Sequence, residues 1–310
     1  MGVTDKSIYT DDYVTLEPKQ HIYTDKDNRQ YQSTSNLLKL MEIPFDKDGI
    51  SSAMARSRAG KGATPEMIAR EKKSILNEWD RKRDNSTSYG TAIHDGLEKY
   101  FETGSSGTPA IDIIGADLFK SLRGDSKRHI AEKIYYNTDL LLAGSADLSV
   151  IRKQNREKPW VLDIFDYKTN IEQGIRYDSI DRRKVPPKHY EQYYVGPFAH
   201  VEACNYFKYC MQLSVYAYMA MVRYNVRIGR LAIIFIDKDL KHKEIPVPFM
   251  YYEVQQLLNM RVNRKKLPEQ QLKNTSLHNK ERTEARVYEP LPSTPFDFYG
   301  DSEFETDYNN

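Results

Sequence analysis

Three charged side chains stand where charge is costly. Asp147 lies within Ala143-Gly144-Ser145-Ala146-Asp147-Leu148-Ser149-Val150, and Asp166 and Lys168 close the mostly apolar run Trp160-Val161-Leu162-Asp163-Ile164-Phe165-Asp166-Tyr167-Lys168. An unpaired buried carboxylate is strongly unfavourable, so strand acids are normally paired or hold a metal. In a strand, residues two apart share a face, which puts Asp166 and Lys168 on one side. If 142–151 and 160–168 pair as a hairpin, Asp147 comes beside them. Two carboxylates and an ammonium at one sheet end suit Mg²⁺, with hard oxygen ligands and a cation near an attacking water. The plain alternative is a buried Asp–Lys ion pair. Acid-x-Lys occurs six times, at Glu17/Lys19, Glu71/Lys73, Asp80/Lys82, Asp125/Lys127, Asp166/Lys168 and Asp239/Lys241. Of these pairs, the one at 166/168 ends a continuous apolar strand and follows a Gly-x-x-Asp segment, so context gives it its meaning.

The elements that would position these residues follow from periodicity and punctuation. Residues 20–34, with Asp27-Asn28 at the centre, predict a short hairpin. A charged helix is expected over about 65–83, with Thr64 as N-cap and Pro65 at the first helical position, and a second over about 88–103, with Ile93, Leu97, Tyr100 and Phe101 at helical spacing. Strands are expected at about 130–136, 142–151 and 160–168, the last central because it is mostly apolar. After an irregular stretch at 170–199 come a helix (about 201–225), a buried strand (231–236), a short edge strand (243–247) and a helix (250–264). The order helix, three strands, helix, strand implies an α/β fold, a mixed central sheet flanked by helices.

These residues resemble the PD-(D/E)XK nuclease superfamily in its RecB-like branch, which includes lambda-type phage exonucleases and the CRISPR-adaptation nucleases. Four further pieces match. Gly90-Thr91-Ala92-Ile93-His94 is similar to the helix motif whose histidine is a metal ligand. Glu132, in Ala131-Glu132-Lys133-Ile134, matches the acid preceding the Gly-x-x-Asp segment. Gln212-Leu213-Ser214-Val215-Tyr216 is similar to the Gln-x-x-x-Tyr motif, and residues 21–34 to the amino-terminal hairpin of phage members. The match spans about residues 20–250. It implies a restriction-endonuclease-like fold and a metal-dependent DNA nuclease, acting at ends and leaving 5′-phosphates, in phage or bacterial recombination, replication or processing.

In that reading Asp147 and Asp166 hold one or two Mg²⁺ or Mn²⁺ ions with His94, and the Tyr167 carbonyl also coordinates. Lys168 orients or polarises the attacking water; Glu132, Gln212 and Tyr216 complete the catalytic set, and Glu98 could support His94 from one turn on. The histidine nitrogen makes Mn²⁺ suitable beside Mg²⁺. The sequence departs from the pattern in reading Ala146-Asp147 where the family name has PD. With Cys204 and Cys210 as its two cysteines, the chain has no four-Cys iron–sulfur set. Gly60-Lys61-Gly62-Ala63-Thr64 lacks phosphate-loop spacing, so no nucleotide cofactor is expected. The rival readings are a catalytically silent nucleic-acid-binding or assembly subunit on the same fold, and a structure-specific or RNA-directed nuclease.

Charge is unevenly spread. After Arg286 the chain has six acids and no base, so the formal +2 of the whole becomes +8 over residues 1–286. Residues 54–83 hold nine bases against four acids, and 261–286 eight against three. Such surface could meet a phosphate backbone or be a solvated helix face. The 170–199 stretch interleaves Arg176, Arg182, Arg183, Lys184 and Lys188 with Tyr190 and other tyrosines, a mix suited to a single-stranded end. The acidic, aromatic-containing tail at 287–310 reads as disordered, either solubilising or docking on a protein partner. The division expected is a nuclease-like domain over 1–286, with a basic helical insertion at 54–83, plus this tail. Mean hydropathy is −0.71; no run approaches the ~18 apolar residues of a membrane span, and Met1–Lys6 has no apolar signal core. A cytoplasmic protein binding DNA with a free end, and no membrane, is the expectation.

Overall fold

The computed structural model describes residues 5–123, 128–153, 160–169 and 193–266. Met1–Val262 forms one compact unit; of a second, Asn263–Asn310, residues 263–266 are described. Residues 170–192, with Arg176, Arg182, Arg183, Lys184, Lys188 and Tyr190, lie outside the described residues, as do residues 287–310.

The strands are β1 (Val14–Glu17), β2 (Ile22–Asp25), β3 (Gln30–Ser33), β4 (His129–Asn137), β5 (Leu142–Lys153), β6 (Trp160–Lys168), β7 (Arg227–Ile236) and β8 (His242–Pro246). The helices are α1 (Asp5–Thr10), α2 (Thr34–Leu38), α3 (Lys47–Ala59), α4 (Pro65–Thr103), α5 (Pro109–Arg123), α6 (Asn205–Tyr224) and α7 (Tyr251–Lys266). They build a mixed α/β fold in which the strands join in the order β1-β2-β3-β5-β6-β7-β8, with β4 on the other edge of β5. β5 and β6 are antiparallel, β6 and β7 parallel, β7 and β8 antiparallel. The expected hairpin is β2–β3, turning at Asn28 with a left-handed φ of 61°. β6 is central, and Val161 through Tyr167 are all buried, as its apolar run predicts.

Two cores sandwich the sheet. On one side α6 packs Met211, Leu213, Val215 and Ala217 against Leu162, Ile164 and Ile233. On the other, α4 and α5 pack Ile93, Leu97, Ile114 and Leu118 against Leu148, Phe165 and Ile234. The β5 edge between them is forked. β3 pairs with it at Leu142 and Ala143, and β6 takes over from Leu148, leaving Gly144–Asp147 in the crotch. There the two-residue alternation of a strand slips. Leu142 and Ala146 belong to the α6 core, but Leu148 and Val150 belong to the α4–α5 core. The residue at the break is Asp147.

The helix expected at 65–83 and the one at 88–103 are a single helix of 39 residues, about 58 Å long. Its start is as expected: Thr64 Oγ1 accepts from the Met67 N–H at 3.3 Å and Pro65 opens the first turn. Between the two expected helices lie Asp84-Asn85-Ser86-Thr87, each up to about 0.7 kcal/mol worse in a helix than Ala. The helix runs through them, with residues 81–88 exposed on every side. N-terminal to that point α4 packs on α3, whose second half falls within the basic helical insertion expected at 54–83. The two are tied by Arg58 to Glu78 (3.0 Å), Lys72 to Asp48 (2.5 Å) and Lys47 to Asp80 (3.3 Å). Part of the basic stretch at 54–83 is therefore internally neutralised. Among the described residues, no helix is long and apolar enough to cross a membrane.

Candidate metal centre

Four elements meet at the fork. β5 supplies Asp147, β6 supplies Asp166, Tyr167 and Lys168, β4 supplies Glu132, and α4 lays His94 over them. Close approach of α4 depends on Gly90, where a Cβ would come within 3.0 Å of Thr169 Oγ1 at the end of β6. Ladder partners Ala131↔Leu148 and Lys133↔Ala146 place Glu132 across from Asp147. The Glu132 backbone is left-handed, φ 46°, a conformation that costs an L-residue about 1–2 kcal/mol.

His94 Nδ1 lies 2.9 Å from Asp147 Oδ1. The second Asp147 oxygen accepts the backbone N–H of Tyr167, and the Tyr167 ring meets the imidazole edge-on at 5.7 Å. Glu132 accepts a hydrogen bond from Ser145 Oγ. Ligand atoms from His94, Glu132 and Asp147 all lie within 4.8 Å of one another. Asp166, expected beside Asp147 as a ligand, stands outside this triad and is ion-paired to Lys168. Its charge still acts on both His94 and Lys168.

The electrostatics describe a buried, crowded cluster. Burial alone would lower His94, but the adjacent Asp147 carboxylate outweighs it and holds the imidazole up at about 9. Burial, reinforced by Asp147, pushes Glu132 up to about 8. Burial works against the Asp147 carboxylate, yet His94 and Lys168 bring it below the ordinary range. Asp166 is pushed up to about 6 by burial, with Lys168 opposing and Asp147 adding to the rise. Lys168 is raised despite its burial, because Asp166 and Asp147 face it. One imidazole and two carboxylates so arranged are a donor set that fits Mg²⁺ or Mn²⁺. Glu98, one turn beyond His94, is raised by burial and by Glu102, Asp95 and Asp147, so it belongs to the same field.

Gln212 and Tyr216 bind each other: Gln212 Nε2 donates to the Tyr216 hydroxyl at 2.8 Å. The Tyr216 ring stacks on Tyr135 and fills the space left by Gly144, where a Cβ would collide with it. What meets Lys168 on α6 is Tyr209, whose ring centroid lies 4.9 Å from Nζ. Sequence reasoning missed this residue; its i,i+3 spacing from Gln212 was the available signal. It also passed over Asp163, fully buried in β6 and neutralised by Arg152 (2.7 Å) and Arg230 (3.3 Å), a structural pairing away from the fork. Cys210 is a buried core thiol, pushed up to about 12 by burial.

No family model and no curated protein sequence matches the chain. Eleven chains of solved structures do. One, described as "Crystal structure of SSO0001", is 15% identical, covering 57% of this chain and 73% of that one, with a TM-score of 0.24. A likeness that low carries no argument about fold or activity.

Proposed function

We propose that this protein is a metal-dependent DNA nuclease with a restriction-endonuclease-like core, acting at DNA ends and leaving 5′-phosphates. The observation that carries the reading is the convergence at one sheet fork of His94, Glu132 and Asp147 with the buried Asp166–Lys168 pair. Buried charge of this density weakens a fold unless it is fully compensated, and its retention is what a catalytic site needs. Bound at the triad, Mg²⁺ or Mn²⁺ supplies Lewis acidity toward a phosphoryl oxygen and lowers the pKa of water. The chain's own residues do the rest. Asp147, with Glu132 once it gives up its proton, would form the negative wall against which a cation is fixed. The Tyr167 N–H fixes the Asp147 carboxylate, and Asp147 fixes the imidazole of His94. Lys168, steered by Asp166 and backed by the Tyr209 ring, presents its ammonium to the attacking water and to charge developing on the phosphate.

The test is digestion of linear and circular DNA with Mg²⁺ or Mn²⁺, with and without chelator. Loss of linear DNA, sparing of the circle, arrest by chelator and 5′-phosphate products are expected. Linear DNA left intact in both metals overturns the reading in favour of a silent binding subunit.

A further inference from the structure

We propose that the hydroxyl of Tyr167 is a positioning group that holds a water against the His94–Glu132–Asp147 triad, as a further ligand for the cation. The inference rests on the metal-dependent reading above and adds a ligand that no side chain supplies. Tyr167 is 1% exposed, and its hydroxyl makes no hydrogen bond within the described residues. A buried phenol normally finds a partner, and a buried polar group without one is a sign of a bound water, an ion or a chemical role. The other orphaned oxygen on β6 belongs to Asp166 and is accounted for by the ion pair with Lys168. Nothing comparable accounts for Tyr167. Packing alone does not ask for its oxygen either. Phe165, two residues earlier and therefore on the same face of the strand, fills its place in the same core with a bare ring.

The surroundings select the water. The Tyr167 N–H donates to Asp147 and the ring stands edge-on to the His94 imidazole, centroids 5.7 Å apart, so the residue is locked to two members of the triad. Burial raises the hydroxyl well above its ordinary value, and the charges that add to the rise are those of Asp147, Glu132 and Asp166, in that order. Asp166, its neighbour in sequence, acts least, which puts the oxygen on the side of the triad carboxylates. A neutral phenol facing acids needs an acceptor that can also serve them. Water does both: it accepts from the phenol, donates to a triad carboxylate and keeps a second lone pair for a cation. The triad offers one ligand atom from each of its residues, and an octahedral Mg²⁺ ion fills its remaining positions with waters and substrate oxygens.

Tyr167→Phe keeps the ring and the backbone N–H and removes the one oxygen. In calorimetric titration of the full chain with Mn²⁺ at neutral pH, the variant is expected to bind about tenfold more weakly or worse, the range for removing a hydrogen-bond partner of a metal ligand. Its melting temperature in chelator should stay at or above the parent's, which separates the loss from a damaged fold. A crystal structure of the Mn²⁺-loaded parent should show a water about 2.8 Å from the hydroxyl and bound to the ion. Should the variant melt lower, that structure decides alone. Equal Mn²⁺ affinity in the two proteins, or a loaded parent with no water at the hydroxyl, overturns the proposal and leaves the nuclease reading standing. A parent that binds no Mn²⁺ sinks both.

Discussion

Glu132 faces Asp147 across a single rung of the β4–β5 ladder, between the paired positions Ala131↔Leu148 and Lys133↔Ala146. Two acids opposite one another destabilise a sheet, and here both are drawn into the interior, one by a left-handed backbone and the other by a break in strand alternation.

Divalent cation should therefore stabilise the fold. Mn²⁺ at about a hundred times its dissociation constant adds about 2.7 kcal/mol, read as a rise in melting temperature that chelator reverses. Glu132→Gln removes a ligand oxygen that burial keeps protonated to about 8, so the Mn²⁺-dependent rise should shrink while the chelated protein at neutral pH melts close to wild type. An undiminished Mn²⁺ response in that variant would remove Glu132 from the donor set.

Lys168→Ala should cut turnover by about 10²–10³-fold and leave DNA affinity within a few-fold of wild type. The ammonium sits against Asp166 and Tyr209, deep in the site rather than on an open binding face. Single-turnover cleavage beside equilibrium binding separates the two effects, and wild-type turnover would refute the assignment.

Acid should loosen the amino-terminal anchor before the core. Asp11 binds Arg223 (2.5 Å), Tyr136 (2.6 Å) and Tyr224 (2.8 Å). Burial alone would raise its carboxyl, but these three partners hold it down at about 2. A carboxylate so lowered contributes stability that is fully present above its ordinary value of 3.8 and disappears as pH falls toward 2. The contribution is about 2 kcal/mol. Urea denaturation should show Asp11→Asn losing about that much at neutral pH and having a flatter stability profile between pH 4 and pH 2. Parallel profiles for the two proteins would refute the anchor.

Gly144→Ala should cost about 1–3 kcal/mol by overpacking. The added methyl meets the Tyr216 ring and Thr34 Oγ1, and Thr34 is held by its bond to the Ala143 carbonyl at 3.1 Å. Chemical denaturation checks the loss. Wild-type stability would mean that the ring moves aside freely.

Much of the frame was legible because it rests on local pattern. The apolar run at 160–168 announced a central strand, Thr64-Pro65 announced where α4 begins, and Asp147, Asp166 and Lys168 stood out as charges in strands. What was hidden depends on distant contacts. α3 and α5 were missed: α3 buries little more than Ser51 and Ala55, too thin an apolar stripe to read, and α5 falls in a segment whose helical period was passed over. Two helices were expected where α4 is continuous; the packed turns on either side override the weak helix propensity of the residues between them. The Asp166–Lys168 pair was one of two readings the sequence left open, since i,i+2 spacing puts two side chains on one face without saying whether they bond to each other or to a third group. Tyr209 was masked by the more conspicuous Gln212 and Tyr216.

The continuity of α4 has a mechanical corollary. One rigid rod carries the imidazole of His94 near one end and the α3-bound arm at the other, so a tilt imposed at the tip is delivered as a displacement at the imidazole. The transmission lasts only while Asp84 through Ser88 stay wound. Unwinding those few residues would uncouple the arm from the cluster, turning a lever into a tether without altering a single residue of the site.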